Sequence, residues 1–382
     1  MAQKRSIFEE VSNEASKDVA RAQPGLIDRG PDSARGLIRI SLAVLFAMVV
    51  LMITVGGLTR LTDSGLSITE WNVVKGAVPP MSAEAWDIEF DKYKGIPEFQ
   101  LQNKNMTLAE FKVIYWWEWG HRQLGRVIGL VWAIGFFGLL LTRKIPTGWT
   151  GRLALLGVLG GLQGAIGWWM VSSGLTGTML DVASYRLATH LGLAFVILGF
   201  IAWYMAHLSR PERELMQARR VREPRLQAHT TALIVFAFIQ ILLGALVAGI
   251  DAGRNYTDWP LMAGGVFPPD MWQIEPIWRN LFENDGTVQF IHRVWGYLTV
   301  IVALRVWFVS RRSAYDATRS FATTMIAVMV LQVVIGIVTV MYSAPLILGL
   351  THQLVAVALW VVILVLRHRA QFPPNQSIKG AV

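Results

Sequence analysis

Residues 40–58 read ISLAVLFAMVVLMITVGGL, and none of these nineteen side chains is charged. Seven further runs that are nearly free of charge follow at 127–141, 153–171, 187–205, 230–250, 294–309, 321–341 and 354–366. Spanning a bilayer takes roughly 20 apolar residues, and flanking residues extend the shorter runs to that length. The pattern predicts an all-α membrane protein with eight transmembrane helices.

The composition agrees with this interpretation. Of the 382 residues, 53% are hydrophobic and only 16% are charged, and the mean hydropathy is +0.43. A soluble protein usually carries about 25% charged residues. The chain has no cysteine, which excludes zinc–thiolate, iron–sulfur and disulfide chemistry.

The positive charges are unevenly distributed. Most of the net charge of +9 comes from Arg and Lys between alternate predicted helices, at 143–152, 210–225 and 311–319, and from Arg367 and Arg369. This is the positive-inside pattern, so we expect both termini in the cytoplasm and no binding of nucleic acid. The polar first 35 residues contain Glu9, Glu10 and Asp18, which argue against a secretory signal or a mitochondrial transit peptide. We therefore expect a multi-pass protein of a bacterial inner membrane rather than a mitochondrial one.

Three motifs recur in the same order in the two halves of the chain. They are His121-Arg122-x-x-Gly125 and His292-Arg293-x-x-Gly296, Gln163-x-x-x-Gly167 and Gln332-x-x-x-Gly336, and Thr189-His190 and Thr351-His352. Each half holds four helices, so both enter the membrane in the same direction. The sequence therefore predicts two parallel four-helix repeats related by a pseudo-twofold axis along the membrane normal.

The repeat predicts the division of the chain. We expect a cytoplasmic tail at 1–35, a first half at 36–208, a basic linker at 209–228, a second half at 229–367 and a tail at 368–382. Two long outer connections, at about 59–112 and 251–287, contain Trp, Gly and Pro and are expected to fold against the membrane surface.

Four histidines lie near the starts of the second, fourth, sixth and eighth helices: His121, His190, His292 and His352. These four helices run in the same direction, so the histidines should share one depth near the outer leaflet. A lone histidine in a span usually hydrogen-bonds across the bundle, but four in repeat-related pairs indicate axial ligands of haem iron. His207, His229 and His368 lie at cytoplasmic helix ends and are not expected to be ligands.

The neighbours of these histidines fit a haem better than a bare zinc or copper ion, which needs several converging ligands. Gly125 and Gly296 follow a histidine by four residues and would let a flat macrocycle approach, although close helix packing is an alternative use of such glycines. Arg122 and Arg293 are candidate partners of haem propionates, with snorkelling to the interface as the alternative.

The two halves differ at one position. Glu118 precedes His121 by three residues, whereas Gln289 precedes His292 by three. A carboxylate can transfer a proton or orient water and an amide cannot transfer protons, so we infer a reactive haem site in the first half and an electron-transfer haem in the second. The alternative is that Glu118 caps the N-terminus of its helix at the water interface.

These residues resemble the haem A synthase family. The segment GGLTRLTDSGLS at 56–67 is similar to the family's signature after the first helix, and EWGHR at 118–122 is similar to its second-helix motif. AGIDAG at 248–253 and FIHR at 290–293 resemble motifs of its second half. The resemblance covers about residues 36–366.

The resemblance implies an oxidoreductase that converts the C8 methyl of haem O to a formyl group, giving haem A for cytochrome oxidase. It implies that His292 and His352 ligate a low-spin haem b cofactor that relays electrons, that His121 and His190 ligate the substrate haem, and that Glu118 is the essential catalytic glutamate. Delivery by a haem O synthase and hand-off to oxidase assembly factors are expected from the resemblance, and a homo-oligomer is left open.

Some members of the family carry paired outer cysteines. This chain has none, so the resemblance leaves its electron acceptor unassigned. A diheme cytochrome b that exchanges electrons with quinone would share the histidines without needing the Glu118/Gln289 difference. A repeat-built transporter would need broken helices with polar mid-membrane sites, and no clear case occurs in the sequence.

Overall fold

The computed structural model describes residues 32–177 and 179–374, and in these ranges the chain is helical with no strand. Eight helices are long and apolar enough to cross a membrane, which confirms the predicted number. They are α1 (Asp32–Leu61), α4 (Leu108–Leu141), α5 (Thr150–Val171), α6 (Ser184–Leu208), α8 (Pro224–Gly249), α10 (Asp285–Ser310), α11 (Asp316–Met341) and α12 (Leu346–Gln371). The short helices are α2 (Ala83–Lys94), α3 (Pro97–Leu101), α7 (Glu212–Arg220) and α9 (Asn280–Glu283).

The spanning helices pack as two groups. In the first group, α1, α4, α5 and α6 contact one another in a closed ring, and α8, α10, α11 and α12 do the same in the second group. The groups meet where α6 contacts α8 and α12 and where α1 contacts α12. This contact pattern has the form that the repeat predicts. The pseudo-twofold axis and the domain boundaries stay predictions.

Small residues and polar bonds join the two groups. The Trp360 indole on α12 donates to the backbone oxygen of Phe195 on α6 at 3.0 Å, and Gln353 donates to the backbone oxygen of Ile53 at 2.8 Å. Gly57 and Gly249 lie at the same interface, against Gln353 and Ser184. Lipid supplies no hydrophobic force between helices, so close backbone approach and hydrogen bonds hold such an interface together.

The second spanning helix begins earlier than its apolar run indicates. The Thr107 hydroxyl accepts from the backbone N–H of Glu110, and the Glu110 carboxylate accepts from the backbone N–H of Thr107, which is a capping box. His121 therefore lies 13 residues after Leu108, whereas the other three histidines lie two turns into their helices. The expectation that His121 lies near the start of its helix was wrong.

The two long connections at 59–112 and 251–287, called outer after their predicted side of the membrane, are folded, as expected. Between α1 and α4, the helices α2 and α3 pack an aromatic cluster onto the start of α4, in which Tyr93, Phe90 and Trp86 surround Phe111 and Tyr115. At the opposite end of the bundle, α8 starts at Pro224, inside the predicted linker. Residues 1–31 of the predicted N-terminal tail, and 375–382 of the C-terminal tail, lie outside the described residues.

The packing at Gly249 generates a prediction. A Cβ added there would lie 2.9 Å from both Cα and Cβ of Ser184, so Gly249→Ala must separate α8 from α6. We expect a loss of about 1–3 kcal/mol in unfolding free energy, measured by denaturation in detergent. Gly161→Ala is the control, because nothing lies within 4 Å of its added Cβ and its stability should not fall. Equal effects of the two changes would contradict the interface.

Candidate functional site

The four predicted ligands line one cavity. Its volume is ≈ 460 Å³, and its lining comes from both groups of helices. His121 and His190 lie on α4 and α6 of the first group, and His292 and His352 on α10 and α12 of the second. The structure thus brings all four histidines to one cavity, two from each group of helices.

Each imidazole packs against a glycine of a neighbouring helix. An added Cβ would lie 2.8–3.1 Å from the ring's Cε1 in all four cases, below any ordinary Cβ contact in three of them and unusually tight at Gly244, so glycine is what leaves room for the ring. The pairs are Gly56 with His121 (2.8 Å), Gly167 with His190 (2.9 Å), Gly244 with His292 (3.1 Å) and Gly336 with His352 (2.8 Å).

Three of the histidines also contact a glutamine amide. Nε2 of Gln163 lies 3.3 Å from both ring nitrogens of His190. Gln240 contacts His292 at 3.2 and 3.3 Å, and Gln332 contacts His352 at 3.3 and 3.2 Å. These glutamines were not predicted as site residues, although two of them belong to the repeated Gln-x-x-x-Gly motif.

Glu118 is buried, with 3% of its surface exposed, and lies well inside α4, so it does not cap that helix. Its Oε1 accepts two hydrogen bonds from Arg122, at 3.0 and 2.5 Å. Its Oε2 accepts from the Ser67 hydroxyl at 2.7 Å and from the backbone N–H of Ile68 at 2.8 Å. The carboxylate therefore ties α4 to the outer segment that follows α1.

Gln289 occupies the matching place in the second group with the opposite polarity. Its Nε2 donates to the backbone oxygens of Ala252 and Asn255 at 2.7 and 2.8 Å, and its Oε1 accepts from Arg293 at 2.8 Å. An amide can serve two carbonyls here, whereas a carboxylate would repel them. The Glu118/Gln289 difference is thus matched by a difference in the backbone groups that each side chain meets.

Arg122 and Arg293 hold the outer segments rather than snorkelling. Arg122 donates to the backbone oxygens of Ile68 and Glu70, and Arg293 donates to those of Tyr256, Asp258 and Leu261. Both place positive charge at the outer edge of the histidine sites.

Gly125 and Gly296, which were predicted to let a haem approach, each face the spanning helix that precedes their own. A Cβ at Gly125 would lie 3.3 Å from Cε of Met52 on α1, and a Cβ at Gly296 would lie 3.2 Å from Nε2 of Gln240 on α8. In this structure these glycines therefore accommodate neighbouring side chains.

The other histidines lie away from the cavity. His207 and His368 belong to an aromatic cluster with Trp203 and Phe372 at the far ends of α6 and α12. His229 bonds to the backbone oxygen of Arg225.

Arg60 links the two groups at the outer mouth of the cavity. It bonds to Asp63 at 2.8 Å and Asp251 at 3.1 Å, and lies 3.6 Å from Asp181. Asp63 and Asp251 both have left-handed backbones just after α1 and α8, a conformation that aspartate tolerates better than most residues. The sequence motifs contain all three of Arg60, Asp63 and Asp251, but sequence reasoning gave them no role.

Glu98 is a second buried carboxyl that sequence reasoning missed. Only 3% of its surface is exposed, it lines the cavity, and its Oε2 has no hydrogen-bond partner among the described residues. Burial, and after it the negative charges of Asp181 and Glu118, raises the pKa of Glu98 to about 8. It lies in the short outer helix α3, where no motif or periodicity marks it.

The donor set fits haem better than a bare metal ion. Within residues 32–177 and 179–374, no three His, Cys, Asp or Glu residues group as ligands of one ion. Two imidazoles per site, with glycine behind each ring and apolar helices around the cavity, match the needs of a bis-histidine haem.

Comparison with known proteins decides the family. Residues 39–364 match the model of a family described as cytochrome oxidase assembly protein. The chain is 64% identical to the heme A synthase of Dinoroseobacter shibae and 63% identical to that of Ruegeria pomeroyi, over the whole of each chain. It is 56% identical to the heme A synthase of Paracoccus denitrificans over 99% of both chains. This chain belongs to the haem A synthase family. The resemblance seen in the sequence motifs is confirmed.

The buried Glu98 predicts how the stability of this haem A synthase family member varies with pH. Because the folded pKa of about 8 lies above the ordinary value of 4.5, the folded state holds this proton more tightly than the unfolded state. The resulting stabilisation is complete below about pH 4.5 and is lost as the pH rises to about 8.

Glu98→Gln removes this dependence. We expect the thermal midpoint of the wild type, relative to Glu98→Gln, to fall between pH 5 and pH 8 and then to level off. Midpoints in detergent at three or four pH values in this range measure the difference. A difference that stays constant with pH would contradict the buried protonated carboxyl.

Proposed function

We propose that this chain carries out the oxidation for which its family is named, converting the C8 methyl of haem O to the formyl group of haem A, at the site between His121 and His190. Its family shows that it is a membrane enzyme of haem A synthesis. The observation that carries the site assignment is a difference between the two groups: a buried carboxyl stands three residues before His121 on α4, and a buried amide stands three residues before His292 on α10.

We propose that His292 and His352 hold a resident haem b. When bound, this haem supplies one-electron redox chemistry between the reacting site and the acceptor. Both of its ligands are supported by glutamine amides, and the adjoining Gln289 brings no acid–base group. A site that only passes electrons needs rigid ligands and no proton donor.

Glu118 is proposed as the catalytic carboxylate of the first site. Arg122 and Ser67 bond to its two oxygens, so the carboxyl group is held in one orientation and is attached to the segment that follows α1. In this role it orients water or accepts a proton as the methyl is oxidised through an alcohol to a hydrated aldehyde that loses water.

Arg122 and Arg293 are proposed to attract haem propionates. Because most of their N–H groups already bond to backbone oxygens and to Glu118 or Gln289, their contribution is charge attraction rather than new hydrogen bonds.

The setting of the enzyme is proposed from charge and chemistry. The basic segments, including α7, support an orientation with both termini in the cytoplasm and the histidine sites toward the outer leaflet of a bacterial plasma membrane. Haem O is insoluble in water, so we propose direct delivery from a haem O synthase and hand-off to an oxidase assembly factor. A homo-oligomer is compatible with this arrangement.

Replacing the carboxylate tests the proposed function. Glu118→Gln should retain bound haem while haem A output falls by roughly 100-fold or more, because general acid–base groups contribute at least that much. The measurement is chromatography of haems extracted from cells that supply haem O.

Glu110→Gln on the same helix is the control. Glu110 is exposed and belongs to the capping box at the start of α4, whereas Glu118 is buried, so haem A output of Glu110→Gln should stay near that of the wild type. Haem b alone in the purified wild-type protein would favour a diheme cytochrome b, and normal haem A output from Glu118→Gln would remove Glu118 from the mechanism.

A further inference from the structure

One of the four histidine positions lacks the support that the other three share. On α5, α8 and α11 a glutamine stands one turn before the glycine that packs on the histidine: Gln163 before Gly167, Gln240 before Gly244 and Gln332 before Gly336. Residues four apart lie on the same helix face, so each glutamine meets the same ring as its glycine. On α1 the residue four before Gly56 is Met52.

The glutamines bond to more than one atom of their histidines. Besides contacting the ring, Nε2 of Gln163 donates to the backbone oxygen of His190 at 3.0 Å, and Nε2 of Gln240 donates to that of His292 at 3.1 Å. The Oε1 atoms of all three amides are buried without a partner among the described residues, so each is available as an acceptor. An amide offers both a donor and an acceptor, and its oxygen is the atom that can accept from the N–H of an imidazole whose other nitrogen binds a metal.

Met52 occupies the place of the missing glutamine. Its methyl carbon approaches Gly125 as the Gln240 amide approaches Gly296, with distances of 3.3 and 3.2 Å to an added Cβ. Gly125 and Gly296 each follow a histidine by four residues, so the two contacts correspond across the groups. Within the described residues, Nδ1 of His121 is buried and has no hydrogen-bond partner.

The difference bears on ligand strength. A thioether donates no hydrogen bond and accepts only weakly. An acceptor that takes the free ring N–H of a metal-ligating histidine fixes its orientation and raises its basicity, and the loss of such a partner typically costs 10–100-fold in metal affinity. His121 therefore has the weakest support of the four imidazoles.

We propose that Met52 makes His121 the exchangeable axial ligand, the one that releases the iron when haem O enters and haem A leaves. The proposal rests on the proposed function, in which the first site turns over its haem while the second retains a cofactor. Both ligands of the second site have glutamine support, and in the first site His190 has it as well. One firm and one weak ligand would hold a substrate haem in place and still permit its release.

Restoring the glutamine tests the proposal. Full-length Met52→Gln, expressed with a haem O source and purified with its haems, is mixed with excess apomyoglobin. The rate of haem transfer is followed by absorbance, and the transferred haem is identified by chromatography. We expect release of haem O and haem A to slow by roughly tenfold or more. Met52→Leu is the matched control, since it removes the thioether without adding an amide, and it should release these haems at the wild-type rate.

The reciprocal variant tests the same support in the second site. Gln240→Met should release haem b roughly tenfold faster than the wild type. If Met52→Gln does not accumulate in the membrane, unchanged haem b release from Gln240→Met overturns the proposal. Equal release rates from Met52→Gln and Met52→Leu overturn it as well.

The identity of the slowed haem separates the two hypotheses. If Met52→Gln slows release of haem b instead of haem O and haem A, the amide still strengthens the ligand, but the substrate does not bind in the first site. That result would overturn the site assignment of the proposed function and the exchange role of His121 together, while the glutamine effect itself would stand.

Discussion

Close contact between an imidazole and the backbone of a neighbouring helix is the constraint on which this structure depends. Each of the four histidines packs on a glycine, and a single added carbon would meet the ring at about 3 Å or less. A ligand side chain in a membrane is useful only if its ring is held at a fixed angle, and helix backbones provide the stiffest available support. The positions of α1, α5, α8 and α11 beside the histidine-bearing helices follow from this contact.

Hydrogen bonds to the outer segments also fix the histidine-bearing helices α4 and α10. Arginines one residue after His121 and His292 bond to backbone oxygens of the connections above them, and Glu118 and Gln289 complete these attachments with opposite polarity. Because carboxylate and amide have nearly the same shape, the two groups keep one architecture while presenting different charge. The chemistry proposed for one site and the electron transfer proposed for the other can thus share a common frame.

The sequence was sufficient for the eight helices and the family, because long apolar runs and family motifs carry those signals directly. The predicted start of α4 was too late, because the apolar run begins well after the capping box at Thr107 and Glu110. That capping box is present in the sequence and marks the true start of the helix. Glu98 could not be found, because its burial results from the tertiary packing of the outer helices around it. The glutamine contacts required knowing which helix faces meet, although their four-residue spacing before a glycine is visible in retrospect.

The ion pairs of Arg60 with Asp63 and Asp251 bear on how the two halves of the chain relate to each other. It binds Asp63 and Asp251, which occupy corresponding turns 188 residues apart, and the residue 188 positions after Arg60 is Ala248. In a symmetric dimer of identical half-length chains, every arginine would be duplicated, and two cations would compete for the same pair of turns. One arginine shared between the two turns therefore requires halves that differ from each other. The halves of this protein are therefore no longer interchangeable parts, and an assembly of two copies of either half could not reproduce the mouth of the cavity.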